Sequence, residues 1–278
     1  MPDGFALAVF AAKFSVLAAA LAAAGLGWAV ALGGDLARRA TPCLVAAAAL
    51  LAVLAYGLFL LAVNAQLGSA WANALDPVTF SWIWPGRQAQ AIGLALGLGA
   101  VIAASILRIR ALGLAAAMLI GASFALSGHA AGLEDGRLAQ IGVALHGLAA
   151  AFWFVAPLLL WPRGDHRDAS AVSQFSAVAV WVVPILFIAG VYLAWRLAGG
   201  LSELFSTAYG QLLLVKLAAA SAALALGAVN KLVVSRRMAG APSQGRRLLK
   251  LSMSADGVLF LLALGLVTWA TTITGPAS

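Results

Sequence analysis

An all-α bundle spanning a membrane is the fold class this sequence predicts, and three observations lead there. Of 278 residues, 64% are hydrophobic and 9% charged, and the mean hydropathy is +1.02, which excludes a water-soluble core of this size. The apolar runs are long, rich in Ala, Leu and Gly, and show no strand alternation. In a bilayer their backbone polar groups must then be paired within helices and not around a barrel. The third observation is the placement of charge. Net charge +8 would suggest nucleic acid in a soluble protein, but here Lys and Arg sit in the connections between apolar runs and read as topology determinants.

Eight apolar segments can be read within a single transmembrane domain, at about 5–32, 44–68, 87–107, 111–128, 138–161, 171–195, 209–232 and 249–273. An even number puts both termini on one side. The connections after segments one, three, five and seven hold Arg38, Arg39, Arg108, Arg110, Arg163, Arg167, Lys231, Arg236, Arg237, Arg246, Arg247 and Lys250, whereas the other three hold only Arg87, Arg137 and Arg196. The positive-inside rule makes the odd connections cytoplasmic and both termini extracytoplasmic.

Segment one begins after Asp3, lacks a basic start, and is longer than a secretory signal core, so it is expected to stay as the first helix. Its Lys13 is expected to snorkel to the outer interface, with the helix proper beginning after it. The single cysteine, Cys43, permits no disulfide within the chain and is expected to be a small packing residue near a helix end. Asn64 and Gln66 close segment two at the outer face. The connection Ser69 to Arg87 then holds Trp71, Phe80, Trp82 and Trp84 around Asp76 and Pro77, which reads as an interfacial aromatic belt, with a cap over a site as the functional alternative.

Gly93 and Gly97 in segment three have the spacing that lets another helix approach closely, and Gly99 is expected to add to that face. Segment four rises past Met118 to His129. Met118 and His129 are eleven residues apart, so they lie on nearly one face but ~16 Å apart along a regular helix, too far to share one ion. Segment five descends through His146, roughly 8–12 Å below the outer surface, to Trp153 and Pro157. Ionisable side chains at such depth are costly and usually functional, which makes His129 and His146 the pair in which function is sought. Pro184 is expected to kink segment six and free a carbonyl. Ser or Thr in the run Phe205 to Gly210 is expected to cap helix seven. Lys216 and Asp256 approach mid-membrane from opposite sides. They read either as a buried ion pair or, for Asp256 with Ser252 and Ser254, as the lining of a proton or cation path.

Ser127-Gly128-His129-Ala130-Ala131-Gly132, and His146 followed by Phe152-Trp153, resemble the CopD family of copper-resistance inner-membrane proteins. Gln174-Phe175-Ser176, Ala189 to Trp195, Leu204 to Gly210, Leu214-Val215-Lys216 and Ala228 to Lys231 follow the same family's order of motifs. The resemblance is firmest over 123–235, fainter at Ala74 to Pro77, and poor over about 1–110. It implies eight helices, a bacterial inner membrane, copper moved between periplasm and cytoplasm, and a small periplasmic CopC-like copper-binding partner. Carried over by residue, it points to His129 and His146, with Lys216 and Asn230 as positions of unassigned role. The chain departs from the family at Trp153-Phe154-Val155-Ala156-Pro157, where Trp-Leu-Gly-Gly is expected, and the acidic position of the last helix is at best Asp256.

Imidazole suits Cu(II), whereas Cu(I) prefers sulfur, and only Met118 and Met253 bring sulfur into the membrane. A storage cluster does not fit. A handover does: His129 at the mouth, His146 deeper, with Asn64, Gln66 or a partner's ligand completing the shell, each site weak enough to release its ion. The rival class is a b-type membrane cytochrome with two axial histidines, disfavoured by their different depths. No nucleotide loop, nucleophile set or zinc-protease spacing is present, so no enzymatic activity is expected.

Overall fold

A computed structural model describes residues 3–127, 136–164, 167–234, 236–237 and 241–274. Among them eight long helices account for the architecture, and no strand occurs: α1 Gly4–Leu32, α2 Pro42–Leu67, α3 Pro77–Leu107, α4 Arg110–Ser123, α5 Gly136–Phe154, α6 Arg167–Ala198, α7 Ala208–Val229 and α8 Pro242–Trp269. Seven spans are long and apolar enough to cross a membrane; the eighth, Arg110–Leu126, is apolar but shorter. The two ends of the chain meet on one face of the bundle. There Lys13 Nζ donates to Thr271 Oγ1 at 2.7 Å, and the Phe5 and Trp71 rings lie 4.7 Å apart.

Helix α1 is the hub, packing against α2, α3, α4, α5 and α8. Its small residues explain this. Ala20 and Ala23 are fully buried, and a Cβ on Gly25 would strike the Ala151 carbonyl and lie 2.6 Å from Val155 Cβ. Gly27 and Gly113 bring α1 against α4 in the same way. In α3, a Cβ on Gly93 or Gly97 would press on Ser123 or Ile120 of α4, as the spacing predicts, but Gly99 faces open space and does not belong to that face. The reason is the helical repeat: six residues from Gly93 puts Gly99 about a third of a turn away around the helix, and two from Gly97 nearly half a turn.

Helix α3 starts ten residues before the expected segment. Asp76 caps it through Val78 and Thr79 N–H, and Pro77 occupies the first turn, where its missing N–H costs nothing. The aromatic belt is therefore on a helix, with Trp82 exposed and Phe80 stacked on Trp84. Lys13 also differs from expectation. Helix α1 begins nine residues before it, and its ammonium is held by the last turn after α8 instead of extending outward, a favourable place for a cation. Cys43 lies in the first turn of α2, as expected for a helix end, but is exposed and not packed.

The opposite face is closed by two clamps. Arg39, at the end of the short helix Gly34–Arg39, is 6% exposed and donates to the Leu159 and Trp161 carbonyls and, at 2.7 Å, to Asp168. Asp168, 2% exposed, also accepts from the Arg163 and Gly164 N–H groups. Beside it Gln174 donates to the Leu32 and Gly33 carbonyls and accepts from Leu36 N–H. Gly33 and Gly34 have φ of 73° and 58°, a conformation only glycine adopts cheaply, and they turn the chain sharply there.

Candidate functional site

His146 lies ten residues into α5, about 15 Å along its axis, on the side facing α6. Two glycines bring the helices together. A Cβ on Gly142 would lie 3.3 Å from Leu193 and Tyr192, and one on Gly190 would lie 3.1 Å from His146 Cε1. The imidazole therefore rests on bare backbone, with Nδ1 3.1 Å from the Leu186 carbonyl. A carbonyl can only accept, so Nδ1 carries the hydrogen and Nε2 presents its lone pair. That arrangement, one ring nitrogen fixed by a carbonyl and the other without a hydrogen-bond partner among the described residues, is how proteins orient metal-binding histidines. The carbonyl used is Leu186's, two residues past Pro184 inside α6.

Lys216 of α7 is part-buried and close enough to act electrostatically on the His146 ring. Its ammonium makes no hydrogen bond or ion pair among the described residues, so the ion pair with Asp256 read from the sequence does not form. Asp256 is 2% exposed, and its Oδ1 is buried with no partner. Ser252, one turn away on α8, is buried with an unpartnered hydroxyl, whereas Ser254 is exposed on another face.

Trp153 stands two turns below His146 on nearly the same side of α5. It is 6% exposed, its Nε1 has no partner, and its ring packs between Gly227 of α7 and Phe260 of α8. The structure thus places His146 and Trp153 on one side of α5, Lys216 of α7 in electrostatic reach of His146, and Asp256 of α8 one turn from the Phe260 ring that packs on Trp153. Other expected residues go elsewhere. Met118 is half-exposed on the outside of α4. Asn64 is fully buried and donates its amide to the Asn73, Ala74 and Asp76 carbonyls at 3.0–3.1 Å, which makes it a clamp on the connection before α3; Gln66 is exposed. His129 lies outside the described residues. Leading toward it, Ser127 donates to the buried Gln90 at 2.7 Å and is contacted by Arg87, which lies over the Phe59 ring.

Sequence reasoning missed Gln90, Leu186 and the Arg39–Asp168 pair. Gln90 and Arg39 were legible only as polar residues within or beside apolar runs, and a carbonyl carries no sequence signal at all. Thr207, by contrast, caps α7 as expected, accepting from Gly210 N–H at 3.0 Å. Three or more His, Cys, Asp or Glu do not cluster anywhere among the described residues, so a closed, resident metal centre is not built there.

Comparison with known proteins fits the later half of this arrangement. The chain is 31% identical over 121 residues, 41% of its length, to "Copper transport protein CutJ" of Bacillus subtilis (strain 168), and the match spans 22% of that protein. No solved structure matches. The profile of "Copper resistance protein D" matches residues 169–270, from α6 through α8, and so contains Lys216, Asn230 and Asp256 but neither His129 nor His146. The expected centre of resemblance therefore shifts toward the C-terminus. Residues 169–270 are thus similar to the CopD family, copper resistance protein D, and the chain spans about a fifth of the length of the curated relative it matches.

Proposed function

We propose that this multi-pass protein is an inner-membrane copper transporter, carrying copper from the extracytoplasmic side to the cytoplasm through a histidine-lined mouth. The observation that carries the reading is the His146 ring, fixed at Nδ1 and without a partner at Nε2 among the described residues, in a chain similar to the CopD family over residues 169–270. Imidazole binds Cu(II) well and copper in general adequately. Sidedness follows from the basic residues: the connections on the Arg39 and Asp168 face hold most of the Lys and Arg, which makes that face cytoplasmic. His129 and His146 then belong to the extracytoplasmic half.

Lys216 shapes how tightly copper is held. A cationic side chain in electrostatic reach of the ring opposes a second cation, so His146 is a weak station and not a sink, as conduction requires. Trp153 and Asp256 continue the path toward the cytoplasm. A periplasmic CopC-like copper-binding protein delivering to His129 is the partner this reading calls for. The test is uptake of radiolabelled copper into liposomes holding the purified chain, beside His129→Ala and His146→Ala. Uptake lost in both variants with folding intact supports the reading; uptake equal to the wild type in both ends it.

A further inference from the structure

The part of the bundle that transport by histidines leaves unexplained is the neighbourhood of Asp256. A carboxylate inside a membrane bundle is costly unless a cation or several donors face it. Asp256 has none. It is 2% exposed, its Oδ1 is unpartnered, and the Ser252 hydroxyl one turn away is equally buried and equally without a partner. Among the described residues the titratable groups on the elements packed against α8 are Tyr209 and Lys216 on α7, Lys231 in the turn Asn230–Val234 and Lys13 on α1. Lys13 is held by Thr271, and none of the others bonds Asp256.

The surroundings are those of a passage and not of a sealed core. Helix α5 breaks at Val155, and Pro157, lacking an N–H, leaves the Trp153 carbonyl without its helical donor. Gly257, adjacent to Asp256, faces that break: a Cβ there would lie 3.8 Å from Pro157. Trp153 Nε1, also buried and unpartnered, belongs to the same region through the ring contact with Phe260, one turn above Asp256. An orphaned carboxyl and hydroxyl one turn apart therefore lie on the helix whose Gly257 faces the break, and an orphaned indole N–H lies on the helix that breaks. One carboxyl and one hydroxyl are too few to hold a metal permanently.

We propose that the Asp256 carboxyl, assisted by the Ser252 hydroxyl, is a proton-exchange site on the copper path, rests on the transport reading above, and couples copper passage to proton movement. With no copper beside it the carboxyl carries a proton, which satisfies its charge in the absence of any cation. When a copper ion arrives, the O–H bond breaks, the proton leaves to water on the adjoining side, and the carboxylate oxygen faces the copper ion. One proton departs for each carboxylate exposed, no electron moves, and reprotonation releases the metal. Asp256 touches the cargo; Ser252 is a positioning residue.

Infrared difference spectroscopy of the full chain in liposomes, with copper added alone, reads the exchange directly, and a pH dye reads the proton. Wild type should lose the C=O stretch of a protonated carboxyl on copper addition and release protons. Asp256→Asn should lose both signals. Asp256→Glu should restore a shifted band, and Ser252→Ala should move the band without abolishing it. A wild-type band indifferent to copper, or equal proton release from Asp256→Asn, overturns the proposal. Band loss in wild type without copper flux would overturn transport and leave the exchange site standing; flux without band loss would do the reverse.

Discussion

Replacing Asp168 by alanine should be among the most destabilising single changes outside the copper path, and the size can be worked out from the clamp. The Arg39 guanidinium is 6% exposed, and its strongest contact is the 2.7 Å bond to Asp168 Oδ1. The Leu159 and Trp161 carbonyls are among the acceptors that remain after the change. Removing one partner of a buried pair typically costs about 3–5 kcal/mol, because the other charge stays buried. By the scaling for domains of somewhat shorter length that is about 6–20 °C in the unfolding midpoint. Intrinsic tryptophan fluorescence in detergent reads it, since nine tryptophans report on the fold. Asp168→Asn should fall between, keeping an acceptor for the Arg163 and Gly164 N–H groups. The double variant Arg39→Met with Asp168→Asn should recover part of the loss, since it removes the buried charges while Asn keeps an acceptor for the Arg163 and Gly164 N–H groups. A loss under about 1 kcal/mol for Asp168→Ala would refute the reasoning and class the pair with solvent-screened surface bridges.

Three further outcomes are expected. Gly190→Ala places a methyl 3.1 Å from His146 Cε1 and must displace the ring from the Leu186 carbonyl; copper affinity should fall roughly tenfold, as for the loss of other orienting contacts, measured by competition with a chelator. Asn64→Ala should cost about 1–3 kcal/mol by orphaning buried carbonyls while leaving copper bound per folded molecule unchanged; copper loss without destabilisation would return Asn64 to the path. The Asp76 carboxyl is held below the usual carboxylate range, chiefly by the Thr79 hydroxyl and then its N–H. A depressed value means that its contribution is present above the unfolded value of 3.8 and lost as pH falls through the lower folded value. Acid titration of thermal stability below about pH 4 should therefore show a smaller loss in Asp76→Asn than in the wild type.

Much of the bundle was legible because membrane helices announce themselves by length: every expected segment is helical, and most boundaries fall within a few residues. The start of α3 was not, because Trp82, Trp84 and Pro85 lower hydropathy without breaking a helix already capped by Asp76. His146 stood out as an ionisable group in an apolar run, but its orientation depends on a backbone carbonyl and on the missing Cβ of Gly190, forty-four residues away in sequence. Lys216 and Asp256 looked like natural partners because opposite charges at mid-membrane should pair. The structure leaves them unpaired on α7 and α8, with Lys216 in electrostatic reach of His146 and Asp256 next to Gly257, which faces the break in α5. Charge complementarity read along one dimension does not fix which faces two helices present.

The most direct measurement is copper binding by the detergent-purified chain, with an absorbance scan and paramagnetic resonance of Cu(II), in wild type beside His146→Ala and His129→Ala. The account predicts copper coordinated by imidazole nitrogen in the wild type, lost in His146→Ala without a change in the unfolding midpoint, and no Soret band. Copper retained undiminished in His146→Ala would contradict it, and a haem spectrum that disappears with the same substitution would move these histidines to the chemistry of a cytochrome.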